Sequence, residues 1–185
     1  MRAVVERIFL SLSLLLLLLS CSGGRERFLP VDGNVVEMHY SSLLTITECS
    51  GYTVVDIANP WGDNTLQRYL LVPSSAEIPE NLPSGVLLRT PLDNVILFSG
   101  VHAGLLDELG VVAGVKGVCD AQYMYCDAVA DGLVAGTVVD CGSSLNVDAE
   151  AVVQVAPDAV FVLPYENGGF GKSSTTGPGR PVPAI

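Results

Sequence analysis

The stretch VILFSGVHAGLLDELGVVAGVKGVCDAQY, residues 95–123, decides the fold. It opens on four apolar residues, 95–98, a run of strand length. It then passes through Ser-Gly into HAGLLDELG, residues 102–110. There Leu105, Leu106 and Leu109 recur at helical spacing and form one apolar face, Asp107 and Glu108 face away, and Gly110 supplies a C-terminal stop. A second short apolar run, 115–118, follows. Strand, helix and strand in so short a span read as a parallel crossover unit. Outward from this core the rhythm repeats, with apolar runs at 86–88, 138–139 and 159–163. A helical segment over 147–156 has Asn146 or Asp148 as N-cap and ends at Pro157. Val- and Ile-rich strands alternating with helices indicate a parallel sheet covered on both sides. The expected class is α/β.

Upstream, YTVVDI (52–57) and QRYLLV (67–72) are β-rich runs separated by the turn formers of ANPWGDNTL, and they predict an N-terminal β-hairpin. Trp61, in that turn, reads as a packing residue. Residues 73–85 carry three prolines and read as a loop.

The first twenty residues read as an address. Arg2 and Arg7 precede an apolar run of signal-peptide length, shorter than the roughly 20 residues of a spanning helix. The run ends in Leu18, Leu19, Ser20 and Cys21, which resembles the bacterial lipobox. That resemblance implies lipidation of Cys21 and a body anchored to an envelope membrane on its periplasmic side, with acyl chains contributing roughly 0.8 kcal/mol per buried CH₂. The domain reading is therefore a lipoprotein signal peptide over 1–20, a tether and irregular lead-in over 21–50, a ligand-binding lobe over 51–168 and an irregular tail over 169–185.

Composition narrows the function. The 185 residues carry a formal net charge of −11, with 49% hydrophobic and 16% charged residues, and the mean hydropathy is +0.47. A nucleic-acid binder needs clustered Lys and Arg to displace phosphate counterions, so no nucleic-acid partner is expected. Besides Cys21 the thiols are Cys49, Cys119, Cys126 and Cys141, without Cys-x-x-Cys spacing. Free thiols, one disulfide and a metal site stay open, since export permits disulfides and four thiols allow three complete pairings.

In a parallel sheet, ligands lie outside the C-terminal ends of the strands. The connectors there are residues 99–102, 119–126, 141–145 and 164–169. They bring Ser99, Gly100, His102, Asp120, Gln122, Tyr123, Tyr125, Ser143, Ser144, Tyr165, Glu166 and Asn167 to one rim. Aromatic, hydroxyl and amide groups with glycines beside them suit a sizeable ligand of mixed polarity. Catalytic patterns are missing. There is no Gly-x-Ser-x-Gly, no His-Glu-x-x-His, no phosphate loop and no dinucleotide fingerprint. GGFGKSS, residues 168–174, fails as a phosphate loop because its first Gly stands too close to Lys172. His39 and His102 read as surface or loop residues before metal ligands or bases. No catalytic residue, resident metal or cofactor is expected.

From residue 95 onward the chain resembles the N-terminal lobe of substrate-binding proteins of ABC importers for iron-siderophore complexes, haem and cobalamin. These have two lobes joined by one long helix. The likeness is carried by VILFSGVHAGLLDELG (95–110), VVAGVKGVCDAQY (111–123) and VVDCGSSLNVDAEAVVQVAPDAVFVLPYENGG (138–169). It implies a Rossmann-like lobe that is not an enzyme and binds a metal chelate carrying its own metal. It also implies a partner in the ABC permease. Ser99, Gly100, His102, Asp120, Tyr123, Tyr125, Tyr165, Glu166 and Asn167 align with cleft-lining loops, and Glu150 with the carboxylate that docks onto a permease Arg.

After Gly171 the resemblance stops. The family continues into the connecting helix and second lobe, whereas this chain runs KSSTTGPGRPVPAI, in which Gly and Pro disfavour a helix. The expectation is a lobe without its second wall, with impaired ligand affinity and exposed apolar surface. Two other readings accompany it: an envelope interaction lipoprotein without a transport ligand, and a small α/β enzyme.

Overall fold

The computed structural model describes residues 28–62 and 64–162. Its first half is a five-stranded sheet of β1 (Asn34–Val35), β2 (Leu44–Cys49), β3 (Tyr52–Ala58), β4 (Thr65–Pro73) and β5 (Val86–Thr90), in that spatial order. The first four are antiparallel neighbours, and β5 lies parallel to β4. The expected hairpin is there, with Thr53 opposite Leu71 and Ile57 opposite Gln67.

Two expectations change. The lead-in through residue 50 is not irregular throughout, because β1 and β2 lie within it. In β2, Leu44 and Ile46 lie half-buried on one face with the exposed Glu48, and the buried Thr47 lies on the other with the exposed Thr45. The β-branched Thr45, Ile46 and Thr47 favour a strand, but neither face is wholly apolar, so no alternation announces it. Ser50 and Gly51 then reverse the chain into β3, with Gly51 at φ +86°, a conformation that favours glycine. The second change concerns residues 86–88. They join the first sheet beside Tyr69, Leu70 and Leu71 of β4 rather than starting the parallel one. Their apolar side chains fit equally into either sheet. The approach is close, since a Cβ on Gly85 would stand 3.1 Å from the Arg68 carbonyl oxygen.

The second half contains the parallel sheet. β6 (Val95–Leu97), β7 (Val115–Val118), β8 (Val139–Asp140) and β11 (Ala159–Phe161) lie in the order β11-β6-β7-β8, every pair parallel. A short antiparallel pair, β9 (Gly142–Ser143) and β10 (Asn146–Val147), follows β8. The helices are α1 (Gly100–Glu108), α2 (Asp127–Ala135) and α3 (Ala149–Val155). The fold is therefore mixed α/β, a largely antiparallel sheet joined to a smaller parallel one, and not a single parallel sheet flanked by helices.

Alternation along β6 sorts the helices onto two faces. Val95 and Leu97 join Ala103, Leu106, Val129 and Leu133 in one core, so α1 and α2 share that face. Ile96 joins Ala151, Val152 and Val155 in another, so α3 covers the opposite face. A third cluster, Tyr69, Leu88 and Ala159, joins the two sheets. Asp158 anchors the start of β11, its carboxylate accepting the backbone N–H groups of Asp93 and Asn94, each at 3.0 Å.

The helix ends follow local chemistry. Gly110, at φ +71°, closes α1: its N–H donates to Asp107 O at 2.8 Å and that of Val111 to Leu106 O at 2.9 Å. This is the paired pattern of a left-handed helix terminus. The helix does not bury the expected trio, however. Leu106 packs inward, while Leu105 and Leu109 stay 57% and 73% exposed beside Val101. The buried stripe runs through Ala103 and Leu106, and a position one residue earlier lies about 100° around the axis. Asp148 is the N-cap of α3, accepting from Glu150 and Ala151, while Asn146 lies in β10. Helix α2, which the sequence reading did not single out, is a full helix ended by Gly136 at φ +72°. Trp61, expected as a packing residue, is 58% exposed in the turn between β3 and β4 and belongs to none of the buried clusters. Among the described residues no helix is long and apolar enough to cross a membrane.

A candidate ligand rim at the ends of the parallel strands

Because β6, β7 and β8 run in the same direction, the connectors after them emerge on one rim. Specific contacts knit these loops together. Ser99 caps α1, its Oγ accepting the Val101 N–H at 3.2 Å. A Cβ on Gly100 would lie 2.6 Å from the Tyr123 carbonyl oxygen, so the absence of a side chain lets the first loop close against the second. Asp120 joins the second loop to the third. Its N–H donates to Gly142 O at 2.7 Å, and its carboxylate accepts the Ser144 N–H at 3.2 Å. Hydrogen bonding from Ser144 holds the Asp120 carboxyl below the ordinary carboxylate range. The residue sits at φ +53°, a left-handed conformation that Asp tolerates better than most residues.

His102 lies at the other end of the rim, half-buried in the first turn of α1. Its ring centroid is 5.8 Å from that of Phe161 at the end of β11, the planes tilted by 58°. Its Nδ1 is buried and finds no partner among the described residues. Desolvation lowers its pKa. Strand order reverses at this point, since the chain steps from β6 through β7 to β8 and then returns to β11 on the far side of β6. Crevices at such reversals hold ligands in open α/β sheets.

Tyr123 and Tyr125 are 59% and 83% exposed, and Leu145 in the third loop is almost fully so. Below them Met124 is buried in the core, which fixes the loop while leaving both phenols toward solvent. The Ser99 and Ser143 hydroxyls accept backbone N–H groups. Chemically this is a surface of aromatic faces, backbone groups and one carboxylate, suited to contact with a ligand that is part apolar and part polar. Among the described residues no three His, Cys, Asp or Glu side chains converge to hold a metal ion.

The structure thus brings Gly100 to Tyr123, Asp120 to Ser144 and His102 to Phe161. Glu150 is exposed in the first turn of α3, the turn that follows β10 on the rim side. Tyr165, Glu166, Asn167 and Cys21 lie outside the described residues. Two participants escaped the sequence reading. Gly142 is legible only as a small residue after Cys141, yet its carbonyl holds Asp120. Phe161 reads as a strand residue, and nothing local indicates that it meets His102.

No family model matches the chain. Over 117 residues it is 27% identical to an uncharacterized lipoprotein of Methanocaldococcus jannaschii, an alignment covering 57% of this chain and 28% of that protein. The chain thus spans little more than a quarter of the length of this curated relative.

Proposed function

We propose that this chain is a lipid-anchored substrate-binding component of an ABC importer, presenting the rim to a metal chelate of the siderophore, haem or cobalamin type. One observation carries the reading: the loops after three parallel strands are tied together on one edge, with two tyrosines left facing solvent. The four parallel strands of the second half support it, with a strand-order reversal at His102 and Phe161. The similarity to a protein named as a lipoprotein supports anchoring through Cys21. Glu150, exposed on α3 close to the rim, supplies a carboxylate for a permease Arg.

The test is a titration of the isotopically labelled chain with three diamagnetic chelates: a gallium-loaded siderophore, zinc protoporphyrin and cyanocobalamin. One of them is expected to shift the amide resonances of residues 99–102, 120–125 and 142–145. The Tyr123→Ala/Tyr125→Ala variant is expected to reduce the response at least tenfold. Shifts confined to other surfaces, or none with any chelate, would overturn the reading.

A further inference from the structure

Cys119 and Cys141 directly follow β7 and β8, and both are fully buried. The ladder pairs Gly117 with Val139 and Val118 with Asp140, so the next step in register sets Cys119 beside Cys141. The hydrogen bonding continues past the strand ends: the Cys141 N–H donates to Val118 O at 2.8 Å. Neighbouring strands lie about 4.8 Å apart, inside the roughly 4.4–6.8 Å Cα separation that a disulfide spans. Both side chains enter the same apolar cluster with Ile96 and Ala151, under α3. Cys119 Sγ lies 3.9 Å from the Cys141 carbonyl oxygen. The other described cysteines are placed elsewhere. Cys126 packs with the core on the α1 and α2 face, and Cys49 is in β2 of the first sheet.

In this structure all four described cysteines are free thiols; we propose that Cys119 and Cys141 form a disulfide that staples β7 to β8 when the chain folds in an oxidising compartment. The oxidant is a small-molecule or protein disulfide, RSSR, of an oxidising compartment. Before α3 closes, one cysteine loses its proton and attacks RSSR, forming a mixed disulfide and releasing RS⁻. The second cysteine loses its proton and displaces the other RS⁻, closing the Cys119–Cys141 bond. Two electrons pass from the pair to RSSR, and the two protons complete two RSH. Export through the Cys21 signal would supply such a compartment, but the geometry does not depend on it.

Once folded, the reduced pair exchanges slowly. Burial pushes Cys119 up to about 12 and Cys141 up to about 11, with nearby acidic groups adding to it, so little thiolate is present at neutral pH. The bond therefore forms before α3 seals the cluster and is afterwards protected.

The experiment refolds the full chain in a glutathione redox buffer, traps free thiols with an alkylating agent and maps the peptides by mass. The expected result is a peptide containing Cys119 joined to one containing Cys141, with Cys49 and Cys126 alkylated. Reductant should lower the thermal midpoint of this oxidised protein by roughly 10 °C, and the Cys119→Ala/Cys141→Ala protein should show no such response. Alkylation of both Cys119 and Cys141, or a bridge from either to another cysteine, would overturn the proposal. The mapping needs no variant to fold, and its outcome is independent of whether the rim binds a chelate.

Discussion

Arg68 is 3% exposed, in the middle of β4, and every feature around it accommodates its charge. Nε and Nη2 donate to the two Asp56 carboxylate oxygens at 2.7 and 2.8 Å, Nη1 donates to Leu29 O at 2.9 Å, and the guanidinium lies 5.0 Å from the Phe28 ring centroid. Removing the carboxylate leaves a buried cation without its counter-charge. Asp56→Ala is therefore expected to cost about 3–5 kcal/mol of unfolding free energy in a denaturant titration. His102 behaves differently. Burial lowers its pKa in the fold, so below about pH 6.5 the unfolded chain takes up a proton that the folded one refuses. Its contribution falls as pH drops from there to the depressed folded value and is flat below it. Denaturant midpoints measured between pH 7.5 and 5 should decline less for His102→Gln than for the parent protein.

Helix α3 has only seven residues, too few to hold together by propensity alone, and it survives through its cap and its apolar face. Asp148 accepts the N–H groups of Glu150 and Ala151 at 2.9 and 3.2 Å. Asp148→Ala is expected to cost about 1 kcal/mol in denaturant-induced unfolding, with Asp148→Asn retaining most of it. Elements whose boundaries rest on such local chemistry were legible from the sequence. The Gly stop of α1, the cap and Pro157 end of α3, and the turn between β3 and β4 are examples, whereas α1 starts at Gly100, inside the segment 99–102 expected as a loop. Which face of an element turns inward was less legible. Leu105, Leu106 and Leu109 are alike in hydropathy, and only the position of β6 and β7 selects Leu106. The strand β2 is hard to read because Thr and Glu leave neither of its faces wholly apolar, and α2 because its alanines and glycine give a weak apolar stripe.

For the whole molecule, the decisive choice was the partner of residues 86–90. Joined to β6, they would have extended a parallel sheet; joined to β4, they complete a largely antiparallel one. Of the four connectors expected at the rim, those after β6, β7 and β8 follow parallel strands that send them to the same edge, while residues 164–169 lie outside the described residues. The bonds that close the rim were not. Asp120 to Ser144, Gly100 to Tyr123 and His102 to Phe161 join residues 23 or more positions apart, and no periodicity or turn signal records such pairings. By itself the sequence determined the four parallel strands after residue 95, helices α1 and α3 with the α1 stop and the α3 cap, the turns and the acidic character, because each depends on neighbours within a few residues along the chain. Tertiary structure alone decided which sheet received β5, which leucine of α1 is covered and which two cysteines share a cluster. Several arrangements bury similar apolar area in those cases, and only simultaneous packing of distant segments separates them.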